Sequence, residues 1–177
     1  MSKSIGNVVD PMEVLNRHGL DAFRYFFLRH VDTFADSDFT WEKFEDAYNN
    51  ELANDLGNLV QRLATLAKKN DIRIGKVETE LPTEYCGLME RFEFSKAFDY
   101  VWEKVQEINR RIDEEKPWSL AKSGGIEKLQ LCMTSLITEL LVVAKMLKPF
   151  IPGTAEKIEV IFTDPIVPPE IPLFPKN

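Results

Sequence analysis

Residues 49–62, reading NNELANDLGNLVQR from Asn49 to Arg62, decide how this chain folds. They lie inside a longer pattern in which Trp41, Phe44, Tyr48, Leu52, Leu56, Leu59, Leu63 and Leu66 recur at steps of three and four. That spacing places all eight on one face of a long helix. Asn58 and Arg62 are four apart, so they project together from one side of it. An amide beside a guanidinium is a compact set of donors with a single carbonyl acceptor. Spacing alone leaves two readings of the pair: an edge-reader for an unpaired base, or an ordinary solvated pair.

Working outward, Asp10-Pro11 is a helix-start signal, an acceptor before a proline at the first helical position. A short helix follows to His18 and Gly19 stops it. Asp21 is expected to cap a second, Ala22 to His30, which turns Phe23, Phe26 and Phe27 toward a core. Thr40 caps the long helix, and Glu42 and Glu45 suit its first turns. Beyond it, Thr83 to Phe92 reads as a short helix. Phe94, Phe98, Val101, Val105, Ile108 and Ile112 mark a third long one, ending before Pro117. Asp113, Glu114 and Glu115 sit at its C-terminal end, where the helix dipole disfavours negative charge. Ile126 to Leu147 carries the next apolar stripe, and Thr154 is expected to cap a last helix, Ala155 to Phe162. From Asp164 the chain is proline-rich and extended. Trp41 and Trp102 fall on helix stripes and read as core. Trp118, after the helix-ending Lys116-Pro117, either plugs the bundle end or holds one flat face open.

Composition narrows the class. At 177 residues, the chain is one domain of ample size, with room for a small appendage. Apolar content of 44% and charged content of 29% are those of a globular protein, and no apolar run reads as long enough to cross a bilayer. No signal-peptide core is legible, so the cytoplasm is expected. Cys86 and Cys132 lie among apolar neighbours and read as reduced and structural, and His18 and His30 are too scattered for a metal site. The net charge of −7 argues against a general nucleic-acid binder, DNA included, yet its distribution is uneven. Between Asp32 and Asp55 stand eight acids and one base, whereas Asn58 to Lys76 holds five bases and one acid. An acidic body with one basic end holds a polyanion at a defined place.

The opening, MSKSIGNVVDP followed by HGLDAFRYFFLR, resembles the signature loop of class I aminoacyl-tRNA synthetases and the two helices after it. In that superfamily the loop reads KMSKS and its second lysine stabilises the phosphates of ATP as the aminoacyl adenylate forms. The resemblance places that role on Lys3, flanked by Ser2 and Ser4, since a mobile cationic loop neutralises charge developing on a leaving pyrophosphate. The motif's first lysine would precede Met1, so the chain starts inside the motif. ELANDLGNLVQR is similar to the first anticodon-domain helix of the methionyl-tRNA synthetases, where an asparagine and an arginine four apart contact the anticodon. Those positions fall on Asn58 and Arg62. INRRIDEEKPWSLAK resembles the same family's segment with a Pro-Trp pair, which implies that Trp118 stacks on a base of the CAU anticodon. One departure is Arg111, where the family often carries an aromatic. KPFIPGTAEKI and PLFPKN complete a resemblance that runs from residue 1 to 177.

The family's HIGH motif, alternating strands and helices, and methionine pocket are not in this sequence. The expected fold is therefore all-α, an antiparallel helical bundle. Residues 1–40 would form a KMSKS-loop and stem-contact segment, 41–163 the anticodon-binding bundle, and 164–177 an extended tail. The implied role is the C-terminal half of a methionyl-tRNA synthetase that recognises methionine tRNA. ATP with magnesium would be used only in the intact enzyme, and this chain alone would bind no cofactor or metal. A separate catalytic chain is a possible partner, and no membrane or DNA partner is expected. Two other classes stay open: a stand-alone tRNA-binding protein without ligase activity, and a helical protein-interaction module. The second would expose an apolar patch, for which Phe23, Phe26 and Phe27 are the candidates.

Overall fold

In the computed structural model, residues 10–31, 39–75, 77 and 80–176 are described. The fold is all-α, and no strand occurs among these residues. Helix α1 (Pro11–Arg29) starts as its sequence dictates: Asp10 Oδ1 accepts from the Met12 N–H at 2.9 Å, with Pro11 in the first turn. Gly19, at φ 82° and ψ 171°, breaks α1 into two helices in one line of sequence, as expected of a residue free of Cβ. Thr40 caps α2 (Trp41–Asp46) by accepting from the Lys43 N–H at 3.2 Å.

The helix then continues without interruption but widens. Ala47–Gly57 is π-helical before α-geometry resumes in α3 (Asn58–Lys69). The apolar spacing explains the widening. Phe44, Tyr48, Leu52 and Leu56 are four residues apart, and each such step overshoots an α-helical turn of 3.6 by about 40°. Three steps would swing the row about 120° away from the core. Looser i→i+5 turns rotate less per residue and so oppose that drift, and all four side chains are 4% exposed or less. The C-terminal tail is strapped along this segment. Buried Phe174 meets Tyr48 edge-on at 6.0 Å, the Tyr48 hydroxyl donates to the Pro175 carbonyl at 2.8 Å, and Lys176 Nζ donates to Asn54 at 2.7 Å. Gly57 makes that close approach possible, because a Cβ there would stand 3.1 Å from the Leu52 carbonyl and 3.7 Å from the Phe174 ring.

The remaining helices are α4 (Thr83–Glu90), α5 (Phe94–Glu115), α6 (Pro117–Lys122), α7 (Ile126–Leu147) and α8 (Pro152–Ile161). Helices α5 and α7 form the antiparallel centre, with α1 and the π-helical segment on α5, α8 on α7, and α6 closing the end between them. Trp102, Phe98, Met133, Leu136 and Leu140 fill this centre. Trp102 is core as the sequence predicts, whereas Trp41 is half-buried, with the Arg17 guanidinium 4.9 Å from its ring centre.

Three expectations need correction, and one alternative loses its support. Asp21 does not serve its own helix: its carboxylate accepts from the Thr154 N–H and, at 2.7 Å, from the Thr154 hydroxyl. It therefore caps the start of α8 from across the fold. Thr154 accordingly lies in the first turn of α8 rather than before it, because Pro152 already opens the helix. Helix α7, 22 residues long with an 18-residue stretch of mean hydropathy 1.5, does meet the length and composition of a membrane span. In this fold its apolarity faces α5 and α8, and ten of its residues are buried there. Finally, Phe26 is buried and Phe23 and Phe27 are half-buried against the core, so these rings do not form an exposed patch.

The Asp21 cap is testable. Asp21→Ala should lower stability by about 1–2 kcal/mol, since it strips acceptors from donors at a helix start. Urea unfolding should show a lower midpoint at unchanged slope. A midpoint equal to wild type would show that water replaces the carboxylate without loss.

One polar knot ties α1 to the π-helical segment. Glu51 accepts from the buried Tyr25 hydroxyl, faces His30 Nε2 at 2.7 Å and pairs with Arg29 at 3.4 Å. Arg29 in turn lies 4.8 Å from the Trp102 ring centre and donates to Tyr25. Burial pushes the Tyr25 hydroxyl far above its usual range. Burial also pushes the Glu51 carboxyl upward, but the bonds from His30 and Tyr25 and the Arg29 charge outweigh it and leave a net lowering.

Candidate nucleic-acid interface

The site lies where α3 passes the corner between α5 and α6. Lys116 takes the left-handed conformation, φ 46° and ψ 58°, ending α5 and turning the chain into α6. Pro117 occupies the first position of α6 and is buried, which anchors the corner. Trp118 follows with 37% of its surface exposed, so it is neither a core plug nor a free side chain. Helix α3 brings Arg62 to it, and the Arg62 guanidinium carbon lies 5.9 Å from the indole centre. Asn58 is exposed one turn earlier on the same helix. Arg62 and Trp118, 56 residues apart in the chain, are thus brought together, with Asn58 beside Arg62 along α3.

Between them opens a cavity of about 390 Å³. Leu66, Ile112 and Pro117 give it an apolar floor, and Gln61, Thr65 and Lys69 line it from α3. Its size falls within the ordinary span of small-ligand pockets, about 300–1,000 Å³. An exposed indole beside a cation and amides suits a flat, edge-polar ligand, because stacking supplies affinity and the donors supply discrimination. Gln61, Thr65 and Lys69 were not singled out from sequence. Their signal was present, since residues 58, 61, 62, 65 and 69 share one helical face.

The acidic end of α5 is explained by pairing. Asp113 Oδ1 accepts from Arg62 at 2.8 Å, Glu114 pairs with Arg110 at 2.8 Å, and Glu115 pairs with Arg111 at 2.8 Å. Each arginine offsets the charge that the helix dipole disfavours. Asp113 and Arg62 are 66% and 33% exposed, and exposed pairs contribute about 0–1 kcal/mol. Arg62 is therefore oriented but cheaply released to another acceptor. Arg111 points away from Trp118 to Glu139 and Ser135 of α7. The departure at that position changes the α5–α7 contact instead of the floor of the cavity.

Ser2, Lys3 and Ser4 lie outside the described residues. Among the described residues no group of three or more His, Cys, Asp or Glu side chains is arranged to hold a metal. Cys86 and Cys132 are free, and burial pushes the Cys132 thiol up to about 12.

With this geometry in place, the chain compares with known proteins as follows. A family model described as tRNA synthetases class I (M) matches residues 1–64, a span that includes Lys3, Asn58 and Arg62. The chain is 38% identical over 174 residues to a methionine–tRNA ligase of Listeria innocua and 40% identical over 174 residues to that of Bacillus subtilis. Each match takes in 89% of this chain and 26% of the relative. The chain thus spans about a quarter of the length of these relatives. Among solved structures, Mycobacterium tuberculosis methionyl-tRNA synthetase bound by methionyl-adenylate superposes with a TM-score of 0.74 at 31% identity, over 90% of this chain and 35% of that one. A second structure of that synthetase with methionyl-adenylate gives a TM-score of 0.77 at 27% identity, over 99% of this chain and 41% of that one.

Proposed function

We propose that this chain, homologous to methionine–tRNA ligases along nearly its whole length, is the part of such a ligase that reads the anticodon of methionine tRNA. The observation that carries the reading is the open indole of Trp118 beside Arg62, over a cavity with an apolar floor. A base of the CAU anticodon stacks on Trp118, while Asn58 and Arg62 donate to base edges. In this reading residues 41–163 are the anticodon-binding bundle, residues 1–40 belong to the stem-contact region, and residues 164–177 are a tail. The chain then lies within the C-terminal half of the ligase and acts in the cytoplasm with a catalytic part that activates methionine. Lys3, with Ser2 and Ser4, would steady the phosphates of magnesium-bound ATP in that larger enzyme, an assignment that rests on sequence.

Discrimination should follow the α3 pair. Asn58→Ala and Arg62→Ala should each lower affinity for methionine tRNA by about 1–3 kcal/mol and relax preference at one anticodon position. Filter binding with tRNAs altered at single anticodon positions measures this. A uniform loss across all tRNAs would make Arg62 a phosphate contact and remove it from the reading.

A further inference from the structure

The π-helical segment Ala47–Gly57 runs straight into Asn58 and Arg62. The Asn58 N–H donates to the Ala53 carbonyl, so Asn58 itself closes the last i→i+5 turn. Each such turn carries one residue more than an α-turn, and an α-helix rotates about 100° per residue. One wide turn drawn back to α-geometry would therefore swing Asn58 and Arg62 about 100° around the axis, relative to the start anchored at α2. That rotation would carry both away from Trp118. Wide turns normally occur singly, so a segment of eleven residues needs holding from outside.

It is held from α1, from α5 and from the tail. Tyr25 and His30 of α1 meet Glu51, and the Asn109 amide of α5 donates to the Asp55 carbonyl at 3.1 Å. The tail reaches the segment from its first turn to its last. Phe174, 6% exposed, stands edge-on to Tyr48 and lies 3.7 Å from where a Cβ of Gly57 would be, directly before Asn58. Pro175 and Lys176 then tie to the Tyr48 hydroxyl and to Asn54. On its other side the tail borders a cavity of about 520 Å³ shared with Gly19, Leu20 and Lys157. We propose that the tail is a positioning strap: by leaning on Tyr48 and Gly57, Phe174 keeps the segment wide and so aims Asn58 and Arg62 at the ligand of Trp118. This rests on the anticodon reading above. Phe174 is a positioning residue that touches no RNA and acts through Asn58 and Arg62.

The test compares affinities for CAU tRNA and for a tRNA altered at one anticodon position, over a salt series, in wild type, Phe174→Ala, Phe174→Leu and Tyr48→Phe. Circular dichroism and urea midpoints check folding, and amide hydrogen exchange follows residues 52–58. Phe174→Ala should cut the ratio of the two affinities about 5- to 50-fold, the span expected when base-edge contacts are lost. Its salt slope should match wild type, because phosphate contacts are kept. Exchange at the Asn58 amide should quicken while α5 and α7 stay protected. Phe174→Leu refills the site and should recover much of the ratio. Tyr48→Phe loses only the Pro175 tie and should shift the ratio the same way by less; it decides the matter if Phe174→Ala does not fold. A strap that merely stabilises the fold would lower the urea midpoint and leave the ratio alone. A folded Phe174→Ala with the wild-type ratio would overturn the inference and leave the anticodon reading standing. A wild-type chain that shows no CAU preference would overturn both.

Discussion

Trp118→Ala should weaken binding of methionine tRNA by about 1–3 kcal/mol, roughly a 5- to 150-fold loss, with the fold intact. The fold survives because the indole is 37% exposed and Pro117, not Trp118, anchors the corner between α5 and α6. The affinity falls because the residue offers a flat, partly dry face on which an unpaired base loses water. Arg62 gives the mutation a second consequence. Its guanidinium lies 5.9 Å from the indole and 2.8 Å from Asp113. Without the ring, the Asp113 pair alone orients it, and an exposed pair orients weakly. Loss of stacking and loss of discrimination should therefore appear together in Trp118→Ala. Trp118→Phe keeps a smaller stacking face and should recover part of both. Isothermal titration with CAU and altered tRNAs, alongside thermal melts, separates binding from folding. Full affinity retained in Trp118→Ala would remove the stacking role.

The largest stability effect outside the apolar core should come from Glu51. Glu51→Ala leaves the Tyr25 hydroxyl without its acceptor and Arg29 with Asp99, 3.4 Å away, as its remaining carboxylate in a partly dry knot. The loss should be about 2–4 kcal/mol, below that of a fully buried pair because Glu51 is 24% exposed. The pH dependence has a definite sign. The folded carboxyl is more acidic than the unfolded one, so Glu51 stabilises the fold at neutral pH. That contribution drains away as pH falls below about 4.3, the ordinary glutamate value, and on through the lower folded value. Urea unfolding between pH 3 and 7, levels on the order of a normal titration, should show a steeper acid decline for wild type than for Glu51→Gln. Parallel declines would mean that other carboxylates govern acid stability.

Much of this architecture is legible in the residues themselves. The three- and four-step apolar rows foretell the long helices, and Asp10-Pro11, Gly19 and Thr40 mark starts and a break that the structure keeps. Local patterns succeed there because the forces are local: a cap, a φ angle, a face. The π-helical widening was hidden because the row Phe44, Tyr48, Leu52, Leu56 looks α-helical when each step is read singly, and its drift shows only when the steps are summed. Asp21 misled for a different reason. Its sequence position suits a cap, but its partner Thr154 is 133 residues away, and no short-range signal reports a contact made by folding. The Glu51 knot was missed on the same ground. At the candidate site, Asn58, Arg62 and Trp118 were found by resemblance, whereas Gln61, Thr65 and Lys69 needed the cavity to be seen.

The most direct test of the central claim is the affinity of the unmodified chain for methionine tRNA and for the same tRNA with an altered anticodon, each at two salt concentrations. An anticodon reader binds the CAU tRNA more tightly, and the ratio between the two tRNAs holds as salt rises even though both affinities fall. Equal affinities with a steep common salt dependence would mean that only the basic end of α3 holds the RNA, and no binding to either would contradict the account outright.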